Sequence, residues 1–474
     1  MKFEMLVCLY ASPVSVCYDN DNDAWIPEQW AMESLVILEE SVVMSGLVHR
    51  DFEAQVQNFG DVVNTRRPAK FYSARKTDAD SVVEQEAVSA NVAVPLNQHH
   101  YNTFIIKDGE GSKSFAELVQ VYLRPSVQAV ARGVDRSVIG QAHAFLAAGP
   151  TKRVGGLGTS SSSNVRARLV EAREKLNVLN VPEDEMRHVI MTAGLEADML
   201  NTDLFVKANE SGTVNALRRA QIGRLFGFGL YAANNVPSAT TGDTVAGTIT
   251  AAHAAGATAA KACSIASYEA TVGEWFTVAG NDQPEYATAV TASTNTTSIT
   301  SNEANKNATE AAAVVTLYKK CVANGGYALG YSKEIAVDGF TVAPTAGRML
   351  ATGTGGSRKI YTIIESREGS GVQYLLLDRP LEAAITNDDN LFPGPVGDMN
   401  LAFHRNALAL VTRPLARPNS AAGVMSAVAS SEANKLSMRI CMQYDSTKQG
   451  TRVTCDMLSG VALLDINMGC LILG

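Results

Sequence analysis

The chain has few of the features that are typical of small secreted proteins, membrane-spanning proteins or nucleic-acid-binding proteins. Its seven cysteines are scattered without a C-x-x-C pair, so the sequence favours free, mostly buried thiols in a reducing compartment over a disulfide framework. No apolar run reaches the roughly 20 residues of a membrane-spanning helix. Acidic residues outnumber basic ones, and the net charge is −8. That balance argues against binding nucleic acid over a broad surface but leaves a local basic patch open.

Motifs for catalysis and for cofactors or metals are equally scarce. There is no G-x-S-x-G elbow, Walker loop or H-E-x-x-H motif. Residues 227–232 fit G-x-G-x-x-A, but Asn-Asn-Val-Pro follows where a nucleotide-binding fold needs a helix. The acidic run at 19–23 lacks the glycine and the bidentate glutamate of a calcium loop. His99 and His100 are adjacent and would point to opposite faces of a strand. We predict no catalytic, cofactor or metal site and a protein that is not an enzyme; a triad hidden from a single sequence is the alternative.

What the chain does have is the composition of a folded protein. Its 474 residues are 46% hydrophobic and 19% charged, which suits two to four domains with a sizeable core. Residues 25–50 read as an amphipathic helix that begins near Pro27 and ends around Gly46. A short apolar patch at 5–9 follows Glu4 and a weakly basic start, so we expect no signal peptide.

Residues 54–98 predict a long two-stranded excursion. Apolar and polar positions alternate there, but the outer part has little apolar surface to bury against its own chain. A hairpin of this kind is marginal alone in water, so we expect it to rest on another subunit. Its charged side chains are candidate intersubunit contacts, with simple solvation as the alternative for several of them: Arg66, Arg67, Lys70, Arg75, Lys76, Asp78, Asp80, Glu84 and Glu86.

The next segment, Ser114 to Ala147, predicts one very long amphipathic helix. Ser114 and Glu117 form a capping box, and Gly149-Pro150 closes the far end. Apolar residues recur at three- and four-residue steps while arginines and glutamines occupy the opposite stripe. Pro125 lies inside the run, and we expect a bend there because proline removes a backbone donor and clashes with the preceding turn.

Composition changes at Ser238. Alanine, threonine, serine, asparagine and glycine dominate as far as about residue 313, and short strand-like stretches continue to Pro393-Gly394-Pro395. This spacing predicts a small β-barrel or sandwich inserted into a parent domain. Strands return between residues 400 and 474, so the fold class is α+β.

Several stretches together resemble a known family. They are W-I-P-E-Q-W at 25–30, G-D-V-V-N at 60–64, F-I-I-K-D-G-E at 104–110, I-G-R-L-F-G-F-G-L-Y at 222–231 and N-L-A-F-H-R-N-A-L-A-L-V-T-R-P-L-A at 400–416. The chain resembles the major capsid (coat) proteins of tailed double-stranded DNA bacteriophages, in the branch with an inserted β-domain. The resemblance covers nearly all of the chain after about Trp25, and the block at 400–416 is its most specific part.

The resemblance implies a Hong Kong 97 type capsid fold. The implied parts are an N-terminal arm at 1–53, an extended loop at 54–98, a peripheral domain at 99–150 and 415–474 with the spine helix at 114–147, an axial domain at 151–237 and 396–414, and an inserted β-rich domain at 238–395.

The family also implies a function and partners. Copies would self-assemble into hexamers and pentamers of an icosahedral head that encloses double-stranded DNA without sequence-specific binding. Scaffolding protein, portal and decoration protein are the implied partners, with no cofactor and no membrane. The virion capsid would be assembled in the host cytoplasm. Two alternatives remain open: a β-rich tail-associated or adhesin-like binding protein, and a bacterial nanocompartment shell protein, which shares the fold.

Overall fold

The computed structural model describes residues 30–34, 43–50, 62–66, 71, 73–78, 81–82, 84–85, 91–108, 122–159, 161, 163–202, 223–257, 260–265, 268–293, 296–413, 415–418, 424–430 and 436–474. Part of the sequence prediction lies outside them, namely most of the N-terminal arm, the first turns of the spine helix at 114–121, and Arg67, Lys70, Asp80 and Glu86.

Helices are few and strands are many in the described ranges. The α-helices are α1 (Arg124–Gly140), α2 (Ala142–Ala147), α3 (Val165–Val178) and α4 (Ala193–Leu200). The strands are β1 (Val62–Arg66), β2 (Asn91–Pro95), β3 (Gln98–Lys107), β4 (Arg153–Gly155), β5 (Arg187–Met191), β6 (Arg224–Leu225), β7 (Phe228–Ala232), β8 (Ser238–Ala239), β9 (Thr244–Ile249), β10 (Lys261–Ile265), β11 (Trp275–Val278), β12 (Glu285–Ser293), β13 (Thr296–Ser301), β14 (Val314–Tyr318), β15 (Cys321–Ala323), β16 (Ile335–Asp338), β17 (Met349–Thr352), β18 (Lys359–Glu368), β19 (Gln373–Leu377), β20 (Asn390–Pro393), β21 (Gly397–His404), β22 (Leu408–Arg413), β23 (Val424–Ser430), β24 (Ser437–Asp445), β25 (Gly450–Leu463) and β26 (Gly469–Leu473). This mixture confirms the predicted α+β class.

The long strand β25 organises the first sheet. It pairs antiparallel with β24 and then β22 along one edge and with β3 along the other, and β23 extends the sheet beyond β24. Helix α1 packs against β3, β22 and β25. The core between them combines helix residues such as Val134 and Val138 with strand residues such as Ile440 and Val453, all buried. One amphipathic helix face therefore covers one face of an antiparallel sheet.

The amphipathic pattern predicted for the spine helix is confirmed over α1 and α2. The apolar stripe is buried through Val130, Val134, Val138 and Phe145, whereas Arg132 on the opposite stripe is exposed. The structure departs from a continuous rod because the helix breaks at Gln141, between α1 and α2. Nothing in the helical periodicity indicates that break.

Pro125, the predicted bend, is the second residue of α1. The two residues before α1, Tyr122 and Leu123, are π-helical. A π-helical turn accommodates a residue that cannot donate a backbone hydrogen bond. Since the preceding turns lie outside the described residues, the bend itself stays a prediction.

A second sheet contributes side chains to the same large core and also has a buried cluster of its own. Its order is β4-β26-β21-β5-β7-β6, with β8 paired to β21, and two of its pairs are parallel: β26 with β4 and β5 with β7. Helices α3 and α4 pack against β26 and β5 over a core of buried side chains that includes Leu169, Leu195 and Ile472. Helix α3 has Asn164 as its N-cap residue and buries Val165, Leu169 and Leu176.

Residues 244–393 form two closed barrels in which every pairing is antiparallel, where the sequence predicted one barrel or sandwich. The first has the order β10-β13-β12-β11-β14-β9, and the second β15-β16-β19-β18-β17-β20. Each has its own buried cluster, with Phe276 and Leu317 in the first and Leu350 and Tyr361 in the second. Only residues 319–320 separate β14 from β15. The sequence missed the second barrel because closure depends on which distant strands pair.

The double barrel leaves and rejoins the rest of the chain at one place. Strand β8 pairs with the start of β21, so Ala239 faces Gly397 and Ser238 faces Asp398. Gly347 of the second barrel lies against this neck with φ +89°, and a Cβ there would lie 2.4 Å from the Ser238 carbonyl oxygen. The neck is thus a two-strand connection with a barrel packed closely on it.

The strand pairing crosses the division that the resemblance implied at residue 414. Strand β22, expected in the axial part, pairs with β25 in the first sheet. Strand β26, expected in the peripheral part, pairs with β21 and β4 in the second sheet. Both strands contain short apolar runs, at 408–411 and 470–473, and such runs do not specify their partners.

Candidate interaction surfaces

The hairpin formed by β1 and β2 is anchored at its base to the first sheet. The two strands pair antiparallel from Val62 opposite Pro95 to Arg66 opposite Asn91. Val63 and Val94 are buried against Ala409 and Val411 of β22. The hairpin therefore leaves the body from a defined anchor on the first sheet.

The outer part of the hairpin has no regular secondary structure in its described residues, and it presents apolar and charged side chains to solvent. Phe71 is 62% exposed and Val82 is 75% exposed. The described members of the nine predicted contact residues with placed side chains are Arg75, Lys76, Asp78 and Glu84. All four are exposed, and none forms an ion pair with another described residue. Arg66 ends β1.

A carboxylate inside α1 holds the N-terminal arm. Asp135 is 0% exposed and accepts hydrogen bonds from the backbone N–H of Val43 at 3.1 Å and of Met44 at 3.2 Å. The Asn235 Nδ2 donates to the same carboxylate at 3.3 Å. Burial raises the pKa of Asp135 to about 6, and the three hydrogen bonds oppose that rise. One side chain thereby joins the arm, the helix and the segment before the neck.

The break between α1 and α2 coincides with a contact to the second barrel. Buried Asp378 accepts hydrogen bonds from the Thr362 N–H at 2.8 Å, Gln141 Nε2 at 3.3 Å and Arg379 Nη1 at 3.1 Å. A Cβ at Gly140 would lie 2.7 Å from the Asp378 Cβ. Because α1 ends on a glycine against this carboxylate, the barrel and the helix approach more closely than a side chain would allow.

The first barrel has a separate connection to the body. Arg153 of β4 is 2% exposed and forms a bidentate pair with Glu303, with N···O distances of 2.8 and 2.9 Å. The same guanidinium donates to the Leu146 carbonyl at the end of α2. Burial lowers the pKa of Arg153 and Glu303 opposes that shift. The second barrel therefore contacts the chain at the start of α2, and the first barrel contacts it at the end of α2.

Other residues examined in the sequence have structural surroundings. His99 and His100 point to different sides of β3, where His99 pairs with Asp456 at 3.2 Å and His100 lies against Gly133. Residues 227–232 comprise the end of the turn between β6 and β7 and then β7 itself. Five cysteines are described, and all are free thiols.

The described residues contain neither a metal-binding cluster nor a membrane-spanning helix. No group of three or more His, Cys, Asp or Glu side chains in those ranges converges to hold a metal ion. No helix within them combines the length and the apolar character needed to cross a membrane.

Comparison with known proteins adds structural neighbours. No protein-family model matches the chain, and no curated protein sequence matches it. A structure from Mycobacterium phage Che8 is 12% identical with a TM-score of 0.44, and the alignment covers 91% of this chain and 90% of that one. The capsid structure of cyanophage P-SCSP1u is 9% identical with a TM-score of 0.41, covering 88% and 84% of the two chains. The asymmetric unit of the bacteriophage PhiM1 mature capsid is 9% identical with a TM-score of 0.38, covering 87% and 82%.

Bacteriophage structures, capsids among them, are what this chain is similar to. Because these TM-scores are below 0.5, the functional interpretation depends on the chain's own residues and contacts.

Two of the connecting residues, Asp135 and Asp378, were not singled out by sequence reasoning. Asp135 falls on the apolar face of the helix, four residues after Ala131 and three before Val138, and a charged residue inside an apolar stripe is the signal that could have revealed it. Asp378 carries no such signal.

Proposed function

We propose that this protein is a structural major capsid protein that self-assembles into the hexamers and pentamers of an icosahedral phage head enclosing double-stranded DNA. The observation that carries the proposal is the hairpin at 62–95. Its base is packed into the body, yet its outer part presents Phe71 and Val82 together with charges that have no described ion-pair partner in their own chain. Such a segment has its binding surface on another copy.

Assembly follows from contacts of this kind repeated by symmetry. Each hairpin would lie over a neighbouring subunit, bury Phe71 and Val82 there, and pair Arg75 and Lys76 with acidic groups across the boundary. A single exposed ion pair contributes little. In a closed shell every subunit places its own hairpin on one neighbour and receives the hairpin of another. The small stabilising contributions of these contacts therefore add up over the particle.

The rest of the chain supports the same role. Helix α1 laid over a sheet fits a spine helix, the second sheet with α3 and α4 fits an axial domain, and the double barrel on its neck fits an inserted domain. On this proposal the protein is not an enzyme and needs no cofactor. Scaffolding protein, portal and decoration protein are its expected partners during assembly in the host cytoplasm.

Pro125 is the proposed point of shape change. A helix that cannot complete its hydrogen bonding there can flex between a precursor shell and an expanded one. Equal helix curvature in immature and mature particles would rule this out.

The test is the assembly state of the full-length chain, expressed with and without a scaffolding protein. Sedimentation and negative-stain microscopy should reveal particles of very many subunits. The double variant Phe71→Ser/Val82→Ser should fold normally but remain unassembled. Leu329→Ser is the matched control, since Leu329 is 70% exposed on the second barrel, and it should assemble like the parent.

Small soluble oligomers under every condition, with scaffolding protein present, would contradict the capsid proposal and favour a binding protein. Assembly that is unaffected by the hairpin variant would remove its main support. Particles that never package DNA would favour a nanocompartment shell.

A further inference from the structure

A cavity of about 420 Å³ lies where the double barrel meets the body. Its wall is built from the end of α2, from β4, from both barrels and from the turn near Ile466. The residues that give it its chemistry are Arg153, Trp275, Tyr286, Arg358, Lys359 and Arg379. Its volume lies in the range of roughly 300–1,000 Å³ that is usual for small-molecule pockets.

The wall is positively charged. Four of its residues are cations, Arg153, Arg358, Lys359 and Arg379, and one is a carboxylate, Glu303. Glu303 is occupied by Arg153, at 2.8 and 2.9 Å. Just outside the wall, Glu382 is shared between Arg379 and Lys359, at 2.6 and 3.1 Å, and Asp378 also pairs with Arg379 at 3.1 Å. His143 adds no charge at neutral pH, because burial lowers its pKa to about 4.

Arg358 differs from the other cations of the wall because no carboxylate of the described residues pairs with it. Its guanidinium carbon lies 4.1 Å from the ring centroid of Tyr286 and 4.7 Å from that of Trp275. Its Nη1 donates to the Gly273 carbonyl oxygen at 2.7 Å, but no described residue forms an ion pair with it. Aromatic rings attract the cation without accepting its in-plane hydrogen bonds.

The buried polar atoms without a hydrogen-bond partner on this wall are all N–H donors. They are Nε and Nη2 of Arg358, Nε1 of Trp275 and Nε of Arg153. Buried donors in native proteins are normally satisfied, and several unsatisfied ones around one space indicate a missing acceptor. By contrast, Arg348, buried in the second barrel, directs Nε and Nη2 at the Gly394 carbonyl oxygen, with the Nε contact at 3.2 Å.

We propose that this cavity binds an oxyanion, either a carboxylate or a phosphate group, with Arg358 and Lys359 as its cationic contacts and Trp275 Nε1 as a further donor. Charge-assisted hydrogen bonds from a guanidinium are the strongest that a protein offers to such a group. Nε and Nη2 of Arg358 are closed to solvent, so an anion reaches them only when the guanidinium moves away from the aromatic rings. That movement changes the environment of Trp275. The proposal does not depend on capsid assembly.

The experiment measures thermal stability and tryptophan fluorescence of the full-length, unassembled chain at constant ionic strength. Inorganic phosphate and citrate are the probes, and chloride is the reference. Phosphate, citrate or both should raise the melting temperature saturably, since a ligand that binds only the folded state stabilises it. The response to each probe identifies the preferred group.

Substitutions locate the site. Lys359→Gln removes one half-exposed cation and should weaken binding about fivefold, the effect of one charge-assisted contact. Arg358→Met should abolish both the melting shift and the fluorescence change. Arg367→Met is the control, because Arg367 lies exposed on the same barrel and pairs with Glu334 at 2.8 Å; it should bind like the parent.

Two outcomes would overturn the proposal. One is the absence of a saturable shift with either anion in the parent chain. The other is equal binding by the parent and Lys359→Gln, which would place the anion elsewhere. Should Arg358→Met fail to fold, the Lys359→Gln comparison still decides.

Discussion

At the scale of single residues, Asp135 connects the charge state of the protein to the attachment of its N-terminal arm. Its carboxylate is buried inside the apolar face of α1 and held by N–H donors of Val43, Met44 and Asn235. Desolvation is the larger influence, so its pKa rises from 3.8 to about 6. A raised pKa in an acid means that folding favours the neutral form. The stabilising contribution is therefore full below about pH 4 and is lost as pH rises through about 6.

This sign gives a pH prediction for Asp135→Asn. The difference in unfolding free energy between the parent and the variant should fall by on the order of 3 kcal/mol from pH 4 to pH 7. Urea titrations at several pH values measure it. Histidines with lowered pKa values, such as His100 and His143 at about 4, produce the opposite trend in both proteins and cancel in the difference. A difference that stays flat across this pH range would contradict the prediction.

At the scale of elements, the hairpin depends on how closely β2 lies against β25. A Cβ at Gly460 would lie 2.3 Å from the Pro95 carbonyl oxygen and 3.0 Å from its carbonyl carbon. Both are backbone atoms, so a side-chain rotation cannot relieve the clash. The glycine is what allows the end of β2 to reach the sheet, and with it the burial of Val94 and Leu96.

Gly460→Ala should therefore loosen the base of the hairpin. We expect a loss of about 1–3 kcal/mol in unfolding free energy, typical of overpacking, and faster tryptic cleavage between residues 66 and 90. Limited proteolysis followed by mass spectrometry measures the cleavage rate. Gly356→Ala is the matched control because nothing lies within 4 Å of its added Cβ. Equal cleavage rates in the two variants would show that the close approach is unimportant.

Elements with local signals were predictable, and those decided by distant contacts were not. The buried stripe of α1 followed from residues spaced three and four apart, such as Val130, Val134 and Val138. The break at Gln141 did not, because its cause includes Asp378, far along the chain on the second barrel. The hairpin was predicted from alternation and charge. Its anchor was not, because a close approach at Gly460 leaves no pattern in sequence.

At the scale of the whole molecule, the two barrels have both their own cores and a share in the common one. Leu375 and Ile299 belong to closed clusters inside the second and first barrels. Trp275, Met349 and Phe392 instead belong to the large cluster that contains α1, α2 and both sheets. The composition change at Ser238 revealed the module but not this sharing, since composition reports burial without reporting the partner. The double barrel therefore has cores of its own and also shares the core of the body.

This dual character predicts an asymmetric result when the chain is divided at the neck. Ala239 and Gly397 face each other in the β8–β21 pair, so an Asn-Gly turn can replace residues 240–396. The isolated double barrel should fold, because closed barrels leave no open sheet edge and each has its own core. The body without it should be the less stable part, because α2 loses Trp275, Phe392 and the Asp378 contact. Circular dichroism shows whether each fragment folds, and thermal unfolding measures its stability.

The full-length variant Asp378→Ala weakens one junction but keeps the barrels, so its stability should fall between that of the body and that of the parent. An unfolded double barrel beside a fully stable body would mean that the body supports the barrels rather than the reverse.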